Sequence, residues 1–280
     1  MPAEDRPRRT RERRGPDPGR TARTTSGFLV SEVDYAADRR QGLHAHPGAS
    51  VTLVLRGSVR ERAGRREETG RPLSVVVKPV GVEHADHYGD RGLGTVQILL
   101  PRETEDDGRR PGADLGGWRW VHAGPATAPF LGVVRGLRAE PGDGVGLEWA
   151  VYDTLAALLA DRGAAGHRDP PAWLARARQE IDDAPPASLT VEGVASEAGV
   201  HPVSLTRAFR NFYGLTTSRY LRRVRVRHAA RLIAETGVPL ARVAYASGFS
   251  DQSHLTRSVR AETGLTPGAL RRVVRARSGA

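Results

Sequence analysis

Apolar positions change their rhythm along the chain. From Phe28 to Leu100 they come as short runs of Val, Leu and Ile, separated by Gly, Pro and charged clusters. Ser50 to Leu55, Leu73 to Val77 and Thr95 to Leu100 are the clearest of these runs. Many short strands between turn residues predict a small antiparallel barrel or jelly roll. Residues 101–117 are rich in Gly, Pro, Asp, Glu and Arg and predict a surface loop. Pro129 to Arg138 and Leu147 to Asp161 then follow a helical period, with Leu147, Val151, Leu155, Leu158 and Leu159 on one apolar stripe. That stripe either packs on the protein's own barrel or forms a seam with a second copy. Gly163 to Pro171 reads as a linker, and helical spacing fills the rest. Before Thr25 almost nothing is apolar, so burial there could not offset the entropy of ordering, and an unstructured tail is expected.

Within the last third a pattern recurs. Leu205-Thr-Arg-Ala-Phe-Arg-Asn-Phe-Tyr-Gly-Leu-Thr216 matches Leu255-Thr-Arg-Ser-Val-Arg-Ala-Glu-Thr-Gly-Leu-Thr266 at Leu, Thr, Arg, Arg, Gly, Leu and Thr. Upstream of each copy stands Val-Ala-x-x-x-Gly, with Val194, Ala195 and Gly199 in one and Val243, Ala244 and Gly248 in the other. A small Ala lets a second helix cross closely, and the Gly supplies the left-handed backbone at a tight helix end. Val200 or Phe249 then fills the core, while Pro202 and Ser250 or Asp251 suit a helix start. Each copy therefore predicts a helix-turn-helix unit. Leu205 with Phe209, and Leu255 with Val259, would bury the inner face of each second helix. Val203, Ser204, Thr206, Arg207 and Arg210, and Gln252, Ser253, His254, Thr256, Arg257 and Arg260, are left on other faces. Arg and Gln on a helix can make bidentate contacts to base edges, and Ser and Thr can bind phosphates or bases. Thr217 to Ala234 predicts a connecting helix about 25 Å long. Its Arg222, Arg223, Arg225, Arg227 and Arg231 occupy the turns left free by the apolar positions. Such a rod could hold two recognition helices roughly one DNA turn, ~34 Å, apart.

Charge agrees with this division. Residues 1–24 hold eight basic against four acidic side chains, residues 25–170 eighteen against twenty, and residues 171–280 seventeen against eight. A basic last third beside a near-neutral middle suits a phosphate-binding module joined to a module with another task. There is no cysteine, which excludes disulfides, thiolate metal sites and cysteine nucleophiles. No apolar run approaches the ~18 residues of a membrane-spanning helix, and the early Arg pairs lack the apolar region of a secretory signal. A cytoplasmic protein without membrane contact is expected.

Residues 171–272, including the closing Gly264-Leu-Thr-Pro267, resemble the DNA-binding domain of the AraC/XylS family of bacterial regulators. The resemblance implies two helix-turn-helix units joined by a long helix. By position it implies base contacts from Val203, Thr206 and Arg207, then Gln252, Ser253, His254 and Arg257. Leu255 and Val259 depart from it, standing where the family's second unit usually has Phe, and Val203 is a poor hydrogen-bonding reader.

A second, shorter resemblance lies upstream. His44-Ala-His46-Pro47, the strand Val51 to Leu55, Gly57 and Lys78-Pro-Val-Gly-Val-Glu-His84 are similar to the two motifs of the cupin barrel, which many AraC/XylS regulators carry as an effector domain. His44 and His46 alternate with Ala45, so on a strand both face one side, and neutral imidazoles suit zinc, iron, manganese or nickel. His84 could be a third ligand; contact with an effector is the alternative for all three. The Glu that cupin enzymes place after the His pair is absent, with His87 or Glu83 as substitutes. No cofactor is required, but a divalent metal at this site is open.

The chain thus reads as a multi-domain α+β protein. Residues 1–25 form an Arg-rich tail, 26–117 a cupin-like effector barrel, 118–165 a helical linker and dimerisation segment, and 171–275 an all-α double helix-turn-helix domain. Double-stranded DNA, an unknown small-molecule effector, a second copy of the chain and, for an activator, RNA polymerase are the expected partners. No catalysis is expected; the alternative is a cupin-type metalloenzyme with a DNA-binding appendage.

Overall fold

The computed structural model describes residues 17–101, 115–139, 144–164 and 170–275. Eight strands build one sheet: β1 (Asp17–Arg23), β2 (Leu29–Tyr35), β3 (Arg40–His44), β4 (Ser50–Ala63), β5 (Arg66–Gly70), β6 (Ser74–Lys78), β7 (His84–Leu99) and β8 (Arg119–His122). Their order is β1-β2-β7-β4-β6-β8, with β3 also on β7 and β5 also on β4. Every pairing is antiparallel. Among the described strands no pairing joins β1 to β8, so the sheet is an open path and not a hydrogen-bonded barrel.

The two-residue period of the strands divides the sheet into two faces. Val51, Leu53 and Leu55 of β4, Val75 and Val77 of β6, and Val96 and Ile98 of β7 join a core shared with helices. Their neighbours Thr52, Val54, Val76, Thr95 and Gln97 line a cavity on the other side. Val75 to Val77 are buried on both faces, which is why that run shows no polar alternation. Where β4 bends over β7 the register shifts, and Gly57 has φ +71°. A Cβ there would lie 1.9 Å from the Gly92 carbonyl oxygen, so the bulge accepts only glycine.

Two strands stand where none was expected. Residues 17–23, assigned above to an unstructured tail, pair with β2 as an edge strand; backbone hydrogen bonds rather than apolar burial hold them, so composition did not betray them. Residues 1–16 of that tail lie outside the described residues, as do 102–114 of the expected loop. Residues 119–122, assigned to the helical segment, pair with β6 and extend the sheet.

Nine helices follow among the described residues: α1 (Thr127–Arg138), α2 (Gly144–Ala164), α3 (Ala172–Asp183), α4 (Val191–Glu197), α5 (Pro202–Tyr213), α6 (Thr217–Glu235), α7 (Leu240–Ala246), α8 (Gln252–Thr263) and α9 (Pro267–Arg275). None of them is long and apolar enough to cross a membrane. The helices divide between two cores. Leu174, Ala177, Ile181, Val194, Ala195, Leu205, Phe209 and Leu221 form a small separate core within α3 to α6. By contrast, Val226, Ile233, Val243, Phe249, Leu255, Val259, Leu270 and Val274 belong to the same cluster as the sheet and as Phe130 and Val134 of α1. The second repeat is thus fused to the N-terminal half, and the first is not. Arg138 of α1 reinforces the fusion: its Nε donates to Glu32 Oε2 on β2 at 3.2 Å, and it also donates to the Val273 carbonyl on α9.

The α2 stripe is split. Leu147, Val151 and Leu158 are buried against the protein's own core and Leu155 is half-buried, but Leu159 is 43 % exposed. One hundred degrees per residue places Leu159 instead with Val145, Trp149 and Tyr152, which are 70 %, 66 % and 42 % exposed.

Candidate functional site

The first recognition element is α5. His201 caps it, accepting from the Val203 N–H, and Pro202 occupies its first turn, where no intrahelical N–H is needed. Gly214 ends it with φ +69° and donates to the Arg210 carbonyl. Leu205 and Phe209 are fully buried, which fixes which side turns outward. Val203 is 59 % exposed, Ser204, Arg207 and Arg210 are also exposed, and Thr206 is half-buried. Val203, Thr206, Arg207 and Arg210 line one shallow groove together with Asn211, which sequence reasoning missed. Asn211 stands four residues beyond Arg207, so helical spacing alone could have found it.

The second recognition element, α8, is built the same way from different residues. Asp251 caps it, its Oδ1 accepting from the His254 N–H at 2.7 Å. That bond and the Ser250 hydroxyl hold the Asp251 carboxyl below its usual range. Leu255 and Val259 are fully buried. Gln252, Ser253, Arg257 and Arg260 are exposed, and Gln252, Ser253, Thr256 and Arg257 share a groove. Thr256 donates back to the Gln252 carbonyl at 2.8 Å. His254 turns partly inward, its ring edge-on to Phe249 at 5.2 Å and its Nδ1 3.2 Å from Ser250 Oγ. It is the most internally engaged of the candidate readers.

The arginines of α6 are less free than their spacing suggests. Arg223 is buried and pairs with Glu262 of α8 at 3.4 Å. Arg225 donates to the Leu189 carbonyl at 2.8 Å, and Arg227 to Asp182 at 2.5 Å. Three of the five side chains therefore clamp α6 to the two units, and Arg222 is the one exposed. Gly248, with φ +77°, lets the units touch: a Cβ there would sit 2.7 Å from the Pro186 carbonyl oxygen.

On the other side of the protein the sheet encloses a cavity of about 720 Å³. Tyr35 and Tyr88 stack along it at 4.5 Å, and Lys78 pairs with buried Glu61 at 3.0 Å. Burial pushes the Glu61 carboxyl up despite Lys78. At the edge of the cavity His44, His46 and His84 converge, with ring centroids 4.3 to 5.1 Å apart. His44 Nδ1 lies 2.8 Å from the Gly42 carbonyl and His84 Nδ1 2.9 Å from that of Val82. Carbonyls only accept, so both rings carry their proton on Nδ1 and turn the Nε2 lone pair inward. Asp86 Oδ2 is 3.8 Å from one Nε2 and 3.9 Å from the other. Both Nε2 atoms and Asp86 Oδ1 are buried without a hydrogen-bond partner. Burial and the Lys78 charge push His84 down to about 4, keeping it neutral. Acceptors facing acceptors in a buried spot fit a divalent cation between them. His84 also groups with Glu61 and Asp86. The substitutes suggested for the missing Glu, His87 and Glu83, are in neither cluster; Asp86, two residues beyond His84 on the same side of β7, is in the second.

Comparison with known proteins bears on the two recognition elements. The helix-turn-helix domain family matches residues 194–273, from within α4 to within α9. The transcriptional regulator GlxA of Rhizobium meliloti is 34 % identical over 129 residues, covering 45 % of this chain and 40 % of its own. The transcriptional activator NphR of a Rhodococcus species is 28 % identical over 239 residues, 80 % of this chain and 70 % of its own. Residues 194–273 are an AraC-type helix-turn-helix domain. The chain spans well under half of GlxA, so the likeness to that protein concerns this domain and its surroundings. Among solved structures, the C-terminal domain of AraT from Geobacillus stearothermophilus is 26 % identical with a TM-score of 0.37, covering 40 % of this chain and 94 % of its own. Within the AraC-type domain, the unusual Leu255 and Val259 are as completely buried as Leu205 and Phe209, so the smaller side chains still close the second core.

Proposed function

We propose that the chain is a DNA-binding transcriptional regulator of the AraC type, acting in the bacterial cytoplasm, in which the sheet half senses and the helical half reads. The observation that carries this is the repeated presentation of an exposed basic helix face, Arg207 and Arg210 on α5 and Arg257 and Arg260 on α8, within the matched domain. Arg207 with Thr206 and Asn211, and Arg257 with Gln252 and Ser253, are assigned to base edges in two successive major grooves; Arg222 and the helix-flanking hydroxyls are assigned to phosphates. The relatives' names speak of regulation and not turnover, and the metalloenzyme alternative falls away with them. Selection of bound duplexes from a random pool tests the assignment. Two half-motifs about one helical turn apart are expected, with Arg207→Ala blurring one and Arg257→Ala the other at roughly 1–3 kcal/mol each. DNA retained without any enriched motif, and released by modest salt, would reduce the domain to an electrostatic anchor.

The sheet half is the effector module, cupin-like in its motifs, and its fitted ligand is a divalent cation held by His44, His46, His84 and Asp86. Calorimetric titration with Zn²⁺ is expected to give one site per chain, weakened at least roughly tenfold by His84→Ala or Asp86→Asn. Equal Zn²⁺ affinity in wild type and both variants would return the histidines to ordinary cavity lining.

The second copy of the chain belongs on the outer face of α2. Val145, Trp149, Tyr152 and Leu159 recur at i, i+4, i+7 and i+14, a self-complementary apolar stripe of the kind two-fold helix pairs bury. Trp149→Glu is expected to shift sedimentation from dimer to monomer and to remove the concentration dependence of the melting temperature, while the variant keeps the wild-type far-ultraviolet circular dichroism. A wild-type monomer at all concentrations would remove the seam. Contact with RNA polymerase belongs to the case in which the chain activates, as NphR's name says of that protein.

A further inference from the structure

A second cavity, of about 420 Å³, lies between the sheet and the first helix-turn-helix unit, away from both recognition grooves. Arg71, in the turn between β5 and β6, reaches it from the sheet; Arg227 and Arg231 reach it from α6. Pro185, Pro186 and Val224 give it an apolar wall. Two carboxylates also line it, but both are engaged. Asp182 accepts from Arg227 at 2.5 Å and from the Tyr220 hydroxyl at 2.8 Å, and pairs with Arg178 at 3.6 Å. Asp183 accepts from Gln179 at 2.8 Å. His228 adds no charge, because burial and then the Arg231 charge push it down to about 4.

We infer that this cavity is a binding site for a small organic anion, a carboxylate or phosphate ester, gripped between Arg71 of the sheet and Arg231 of the connecting helix. Neither guanidinium hydrogen bonds or ion-pairs within 4.0 Å among the described residues, although both face one hollow with Arg227. Unpaired like charges sharing a partly desolvated space repel, and an anion between them reverses the sign of that interaction. Indeed burial first, and then Arg227 and Arg231, lower the hold of Arg71 on its own proton. Guanidinium forks match the paired oxygens of a carboxylate or phosphate, and the proline and valine wall accepts the organic body. A volume near 420 Å³ falls in the range of small-molecule sites, about 300–1,000 Å³.

The position gives the site a consequence. Among the described residues the sheet has ionic ties to α3, where Glu68 pairs with Arg178 at 3.7 Å, and to the end of α6, where Arg91 pairs with Glu235 at 3.3 Å. An anion held by Arg71 and Arg231 adds a further tie from the sheet to α6, and it lies against Pro185 and Pro186 of the first unit, which line the same cavity. This site is independent of the cation site, and its test leaves the DNA-reading assignment untouched.

Full-length protein is titrated calorimetrically with citrate and with inorganic phosphate at constant ionic strength. Wild type, Arg71→Ala, Arg231→Ala and the double variant Arg207→Ala/Arg257→Ala are compared, with melting temperatures to certify folding. One saturable site is expected, weakened at least tenfold by either junction variant and unchanged in the double variant. Preference for citrate over phosphate assigns the carboxylate class, and the reverse assigns the phosphate class. Absence of saturable binding by both anions, or loss of binding only in the double variant, overturns the site.

Discussion

Replacing Phe209 by alanine destabilises the first helix-turn-helix unit by about 3–5 kcal/mol, the cost of removing a fully buried aromatic ring from a core that cannot collapse around the gap. Phe209 is 0 % exposed and packs within the small core of α3 to α6, its ring 5.2 Å from Tyr213 and 5.4 Å from Tyr220. Because that core is separate from the one shared by the sheet and the second unit, the loss is confined. Hydrogen exchange should show α3 to α5 losing protection while α8, α9 and the sheet keep theirs. A uniform loss over the whole chain would mean that the two cores unfold as one. In DNA selection the same variant should keep the half-motif read by α8 and lose the other.

Arg138→Ala has a comparable effect by another route. Glu32 on β2 is 1 % exposed, and its carboxylate is held by Arg138 of α1. Truncating the arginine leaves a buried charge without its partner, at a cost of about 3–5 kcal/mol. It also frees the Val273 carbonyl of α9, so the cost falls on the junction between the sheet and the second unit. The urea midpoint should drop accordingly, and the double variant Glu32→Gln/Arg138→Met should recover more than half of the loss, since it removes the charge along with its counter-ion. If the double variant is as weak as the single, packing of the arginine stem rather than the stranded charge is the cause.

What was legible in the sequence follows a physical line. The inner faces of α5 and α8 were readable because Leu205, Phe209, Leu255 and Val259 obey a local four-residue spacing that burial enforces. Strands with apolar alternation were readable for the same reason. Strand β1 was not, since an edge strand can be held by backbone bonds that leave no trace in side-chain type. The arginines of α6 looked like one basic face because charge alone does not say whether a partner waits across a tertiary gap. Glu262, Leu189 and Asp182, which hold Arg223, Arg225 and Arg227, are 39, 36 and 45 residues away in sequence. In the cavity, the motif pointed to His44, His46 and His84, but Asp86 emerged only once β3 was laid against β7 and the acceptor atoms could be seen to meet. The expected α2 seam misplaced one leucine: Leu159 belongs to the outer stripe, and only the packing of α2 on α1 distinguishes the two faces.

The uneven sharing of cores also bears on how such proteins can be recombined. A crossover placed in the linker before α3 would carry both reading units to a new sensor, yet the second unit would arrive with Val226, Ile233, Phe249 and Leu270 stripped of the core they share with the sheet and α1. A crossover inside α6, between its two ends, would instead exchange the first unit as a self-sufficient piece. The natural joint for building hybrid operators' readers from this chain therefore runs through the middle of its DNA-binding third, where the repeat suggests symmetry and the packing withholds it.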